Sequence, residues 1–129
     1  MATLTEKQAE LFLEPNFGVV ATLKEDGSPQ TSVVWLDWDG ENVVFNTTIP
    51  RAKGQHLLRD PRVSLTAIDR NDPYRYIEIE GIAELDQEGA DEHIHKLARK
   101  YWGEDYRDPR DRVIVRVRPQ RVHPYHVDQ

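Results

Sequence analysis

Between Phe17 and Asn46, three β-prone runs are separated by turn-forming segments built on Asp26-Gly27 and Asp39-Gly40, and this spacing constrains the fold more than any other stretch. Connections this short join antiparallel neighbours, because a parallel crossover needs about a dozen residues or more. The spacing predicts strands over 17–23, 30–36 and 43–46, arranged as a three-stranded meander. Downstream, 62–68 is again β-prone. The stretch 74–85 alternates Tyr76, Glu78 and Glu80 against Ile77, Ile79 and Ile82, with a slip at Gly81 that predicts a β-bulge. Two further short strands are expected over 113–117 and 122–127.

Helical spacing occurs three times. Thr5 precedes an amphipathic segment over 6–13 that Pro15 ends, with Ala9, Phe12 and Leu13 on its apolar side. Pro50 suits the first turn of a second helix, stopped by Asp60-Pro61, with Leu57 and Leu58 expected on its buried side. The third runs over 87–102 through Ala90, Ile94, Leu97 and Ala98, with Gly103 as its C-cap. Helices set among antiparallel strands, rather than in strict alternation with them, predict a mostly β barrel with attached helices. A chain of 129 residues is expected to form one domain over 1–129.

The absence of cysteine rules out disulfides, thiolate catalysis and Cys-ligated metals, so any redox chemistry needs a borrowed cofactor. A reducing cytoplasm is the expected location, with no membrane association, because no apolar run approaches roughly 18 residues and no signal-peptide core is visible. The net charge of −6 argues against a nucleic-acid surface. Against that background, Arg51, Lys53, Arg59 and Arg62 face only Asp60 between positions 51 and 62. Arg51 and Lys53 lie at the predicted start of a helix, where cations are unfavourable unless an anion sits between them, and Thr47 and Thr48 place hydroxyls beside it. The same residues are also open to pairing with carboxylates elsewhere, or to simple solvation.

Other groups have blander readings. His93 and His95 point to different helix faces and His123 and His126 flank Pro124, so no metal site is expected. His56 is expected to be exposed. Trp35, Trp38 and Trp102 are expected in core or dimer packing rather than in a substrate groove. Glu78 and Glu80 are expected to be solvated or paired with Arg112, Arg116 and Arg118 on a neighbouring strand.

The run Asn46-Thr47-Thr48-Ile49-Pro50-Arg51-Ala52-Lys53-Gly54, with Leu57 and Arg59-Asp60-Pro61-Arg62-Val63-Ser64-Leu65, resembles a phosphate-binding segment. It is that of the F420-dependent branch of the pyridoxamine 5'-phosphate oxidase-like family. Gly18–Leu23, Asp26–Gln30, Val33-Val34-Trp35 and Glu80-Gly81-Ile82-Ala83 follow in the order that branch has them, so the resemblance covers nearly the whole chain. It implies a six- to seven-stranded antiparallel split β-barrel of the FMN-binding type. It further implies cofactor contacts from Thr47, Thr48, Arg51 and Lys53 to a phosphate, and from the backbone of Val33, Val34 and Trp35 to the ring. Tyr74 and Tyr76 match positions that similar proteins contribute from the partner of a homodimer. Ala52 separates the two cations, which favours coenzyme F420, with FMN as the alternative. The implied activity is hydride transfer from reduced deazaflavin to a small unsaturated or conjugated acceptor. An FMN enzyme and a non-catalytic cofactor carrier are the other readings. No catalytic residue is assigned; a proton donor, if one acts, is Tyr74, Tyr76 or water, although a buried tyrosine with a satisfied hydroxyl is the blander description of either.

Overall fold

Thr5 opens the first helix with a reciprocal cap: its hydroxyl accepts the Gln8 N–H at 3.2 Å, and Gln8 Oε1 accepts the Thr5 N–H at 3.0 Å. In the computed structural model, which describes residues 2–128, that helix is α1 (Glu6–Leu13). The strands are β1 (Phe17–Leu23), β2 (Pro29–Val34), β3 (Asp37–Trp38), β4 (Val43–Thr48), β5 (Arg62–Ile68), β6 (Tyr76–Asp86) and β7 (Arg112–Tyr125). Between them lie α2 (Ala52–Arg59) and α3 (Ala90–Trp102).

The strands form one antiparallel sheet in the order β2-β1-β5-β6-β7-β4-β3. Its two edge strands, β2 and β3, are consecutive in the chain and joined only by Trp35 and Leu36. A seven-stranded sheet whose edges are tethered by two residues has to curl, and the result is a split β-barrel. The meander read from the sequence is corrected by this order. β1 and β2 make the expected hairpin, whereas β4 lies at the far end of the sheet between β7 and β3. The backbone between β2 and β4 turns away at Leu36 because that side chain enters the barrel interior, where it is fully buried.

Four other expectations change. The two final strands are one, β7, because its middle residues continue the ladder with β6 past the irregularity. The register shift does fall at Glu80/Gly81, but β6 keeps strict alternation there and the extra residue is Gln120 on β7. Strand alternation puts position 81 inward, and a Cβ there would collide with the Arg118 carbonyl oxygen, so the position needs glycine. Pro50 lies in a turn before α2 rather than inside its first turn, and α3 begins at Ala90, after Gly89 in the left-handed conformation, rather than at Gln87. Gly103 closes α3 as predicted, with φ 81°.

Leu11, Phe12, Val20, Leu36, Phe45, Leu65, Ile77, Ile79, Val115 and Val117 fill the barrel. Leu57 joins them from α2, but Leu58, expected on the same side, is exposed. Outside the barrel, α3 lays Ile94, Leu97 and Ala98 over β4 and β7. Lys100 fastens the layers by donating hydrogen bonds to the carbonyl oxygens of Phe12 and of Leu36, the latter at 2.6 Å, with Asp37 Oδ1 at 3.5 Å. Among the described residues, no helix is long and apolar enough to cross a membrane.

Candidate functional site

β4 ends at Thr48 and the chain turns at Ile49-Pro50 into α2, with the Arg51 N–H donating to the Thr48 carbonyl at 3.3 Å. Arg51 is the N-cap residue of α2 and provides no side-chain cap, so the first N–H groups of the helix are left open. Gly54 lets the helix sit directly on the strand end: a Cβ there would collide with the Thr48 carbonyl oxygen and lie 3.0 Å from Ile49 Cα. Neither Arg51 nor Lys53 pairs with a carboxylate among the described residues. Lys53 donates to Ser32 Oγ on β2 at 2.9 Å instead. Burial, followed by the nearby Arg51 charge, holds the Lys53 ammonium below its ordinary pKa. The outer cations of the basic run are satisfied locally, Arg62 by Asp60 at 2.7 Å and Arg59 by the Leu23 carbonyl at 3.4 Å.

A cavity of about 200 Å³ opens beside this pair. Val33, Val34, Trp35, Thr47, Arg51 and Lys53 line it, which brings together six of the nine residues selected from the sequence. Thr48 is buried under the start of α2. Tyr74 and Tyr76 stand elsewhere. Tyr74 is 77% exposed in the β5–β6 turn, and Tyr76 is half-buried on the outer face of β6, stacked on Tyr125 at 4.4 Å. Neither is the buried tyrosine anticipated.

The cavity also contains residues that sequence reasoning placed elsewhere or passed over: Asn46, Trp102, Tyr106 and Arg112. Trp35 stacks on Tyr101, and both Trp102 and Tyr106 meet it edge-on, at 4.5 and 6.2 Å. Trp102 and Tyr106 lie parallel, 5.9 Å apart. Trp35 and Trp102 therefore wall the cavity rather than the core, while Trp38 packs on the core as expected. Arg112, one of three arginines offered as partners of Glu78 and Glu80 if those are not simply solvated, stands opposite Thr48 of β4, only 6% exposed, its guanidinium over the Tyr106 ring at 4.5 Å. Glu80 instead faces Arg121 and contacts His123 Nε2 at 3.2 Å, and Arg116 and Arg118 pair with Asp86 and Glu84. Period-two alternation puts Arg112 on the same strand face as Arg116 and Arg118. Only the packing of α3 and Tyr106 over that end of β7 distinguishes it.

Three buried atoms of the cavity-lining residues lack a hydrogen-bond partner: Asn46 Oδ1, Thr47 Oγ1 and Arg112 Nε. Behind them, Asn46 Nδ2 donates to the Ala90 carbonyl and to His93 Nδ1, both at 3.0 Å. Burial pushes the His93 pKa down to about 4. His56, expected at the surface, is buried with Nδ1 2.8 Å from Thr22 Oγ1. A larger hollow of about 390 Å³ lies on the outer sheet face among Ala21, Leu23, Ser64, Ile82 and Arg121, but it has neither the basic pair nor an orphaned buried atom. The chemistry favours the smaller one, whose unmatched groups suit an anion beside a flat conjugated ring.

Residues 4–126 match the sequence model of a family described as Pyridoxamine 5'-phosphate oxidase. Among curated proteins, the chain is 38% identical over 89 residues to a pyridoxine/pyridoxamine 5'-phosphate oxidase from Gloeothece citriformis. That alignment covers 64% of this chain and 39% of the relative, so the match spans well under half of the longer protein. Among solved structures, an F420 reductase superposes with a TM-score of 0.82 and 34% identity, covering 93% of this chain and 98% of the other. A conserved hypothetical protein from Mycobacterium tuberculosis superposes with a TM-score of 0.77 and 27% identity, over 95% and 85% of the two chains.

Proposed function

The chain belongs to the pyridoxamine 5'-phosphate oxidase family, and from that membership we propose that it is an oxidoreductase that binds coenzyme F420 and reduces a small conjugated acceptor. One observation carries the reading: Arg51 and Lys53, without carboxylate partners, stand at the uncapped start of α2 beside the unsatisfied Thr47 hydroxyl. Those groups fit a phosphate, which would accept from the open helix N–H groups and both cations. The backbone of Val33-Val34-Trp35 fits a flat ring. The spacing of the two cations by Ala52 and the likeness to a structure named as an F420 reductase favour the deazaflavin over FMN.

Bound deazaflavin would supply the hydride. The protein's work is then to hold and to exclude water. Arg51, Lys53 and Thr47 anchor the anionic end, and Trp35, Trp102 and Tyr106 shield the cavity. Binding residues held by packing reduce the reaction to placing donor and acceptor in register. We further propose that two copies complete the groove. The outer sheet face exposes Val33 at 75% and Phe17 at 58%, apolar area that a second copy would cover, and Tyr76 stands on the same face.

Titration of the purified protein with F420 and with FMN, followed by fluorescence, tests the cofactor. Arg51→Ala and Lys53→Ala should each weaken binding by about 1–3 kcal/mol. Micromolar FMN binding with none to F420 overturns the deazaflavin assignment, and unchanged affinity in both variants removes the site. Turnover of F420H2 with a panel of enones, quinones and nitro compounds then separates a reductase from a carrier.

A further inference from the structure

Arg112 is not explained by a phosphate grip. A guanidinium stays charged at any pH the protein meets, and a buried charge without a counter-ion is costly unless something arrives to pair with it. Arg112 is only 6% exposed, its Nε has no acceptor and its guanidinium lies over the Tyr106 ring; the Asp108 carboxylate is near enough to feel its charge but forms no ion pair with it. The basic pair belongs partly to another space. Arg51 and Lys53 also line an adjoining hollow of about 160 Å³ with Thr22, Gln30, Ser32 and Ala52, which Arg112 does not reach. The site therefore has two lobes that meet at Arg51 and Lys53, one small and polar, the other walled by Trp35, Trp102 and Tyr106 with Arg112.

We propose that the aromatic lobe is a subsite for a planar conjugated carboxylate, which Arg112 pairs with, and that this ligand is the acceptor: hydride from the reduced cofactor, which is oxidised, would add to the carbon β to the carboxylate as the C=C π bond opens, and a solvent proton would complete the α carbon. Flat side walls select a conjugated ring or chain, and a desolvated guanidinium selects the ionised over the neutral form. The assignment of the ligand as acceptor rests on the oxidoreductase reading above. The subsite does not.

The test uses cinnamate and its neutral counterpart cinnamamide, titrated into the cofactor-free protein with tryptophan fluorescence as the signal. The wild type should prefer cinnamate by about tenfold or more. Arg112→Met should abolish that preference while Lys53→Ala retains it, with circular dichroism confirming that each variant is folded. Equal affinity of the wild type for the two probes overturns the subsite without any variant, and loss of preference in Lys53→Ala but not Arg112→Met assigns the anion to the phosphate pair instead. The titration is then repeated at saturating cofactor. Retained cinnamate binding supports the acceptor role, and displacement overturns it by showing that the cofactor's own ring fills the lobe. Should neither F420 nor FMN bind, the oxidoreductase reading falls while the cofactor-free comparison still decides the role of Arg112.

Discussion

His93 shows how the site depends on single buried groups. Its Nδ1 accepts from Asn46 Nδ2, so the neutral ring carries its proton on Nε2, where it has no partner. Desolvation lowers the folded pKa to about 4, against 6.5 for the ordinary imidazole. Between those values the unfolded chain binds the extra proton, so stability rises with pH across the window and is lost on acidification from about 6.5 towards 4. Thermal melts at pH 7 and pH 4.5 should show a loss on the order of 2 kcal/mol in the wild type. His93→Gln, which stays neutral, should flatten that dependence; an unchanged pH profile in the variant assigns the acid sensitivity to other groups.

At the scale of elements, the junction of β4 and α2 sets where the cations stand. Gly54 is the point of closest approach, and its Cα faces the end of the strand with no room for a methyl group. Gly54→Ala should therefore push α2 off β4, moving Arg51 and Lys53 away from Thr47. The expected result is a loss of about 1–3 kcal/mol in stability, read from urea denaturation, together with a cofactor affinity weakened in parallel. A variant as stable as the wild type with unaltered affinity would show that the junction has slack. Helix propensity alone predicts the opposite sign, since alanine favours a helix interior by up to about 1 kcal/mol over glycine. The comparison thus separates local preference from packing.

For the whole molecule, the curled sheet buries one face in the barrel and leaves much of the other open. α3 covers β4 and β7 on the outside, while Phe17 and Val33 remain uncovered on β1 and β2. If a second copy covers them, the wild type sediments at twice the 15.0 kDa chain mass. Phe17→Glu, outside the candidate cavity, then shifts it to the monomer. Cofactor affinity should fall in the same variant by tenfold or more if the groove is shared, taking the loss of one half of a site as about 1.4 kcal/mol or more. A monomeric wild type with full affinity removes the dimer from the proposal.

Much of this was legible in the chain because it rests on local rules. The Asp-Gly turns, the Thr5 cap, the Gly103 stop and the period-two runs each depend on residues a few positions apart, so element types and most boundaries followed from composition and spacing. The basic pair was visible for a related reason: cations at a helix start contradict the helix dipole, and the contradiction is local. Strand order was not legible, because β4 and β7 meet through pairing across more than sixty positions of chain, and nothing in either run names its partner. Arg112 followed the same logic. Its neighbours on β7 have the same alternation, and only the arrival of α3 and Tyr106 from elsewhere in the chain turned one of three similar arginines into a buried, unpaired charge facing the cavity. Local chemistry determined which pieces this protein is made of; the long-range packing, which alone decides what is shielded from water, determined which of its side chains are left to meet a ligand.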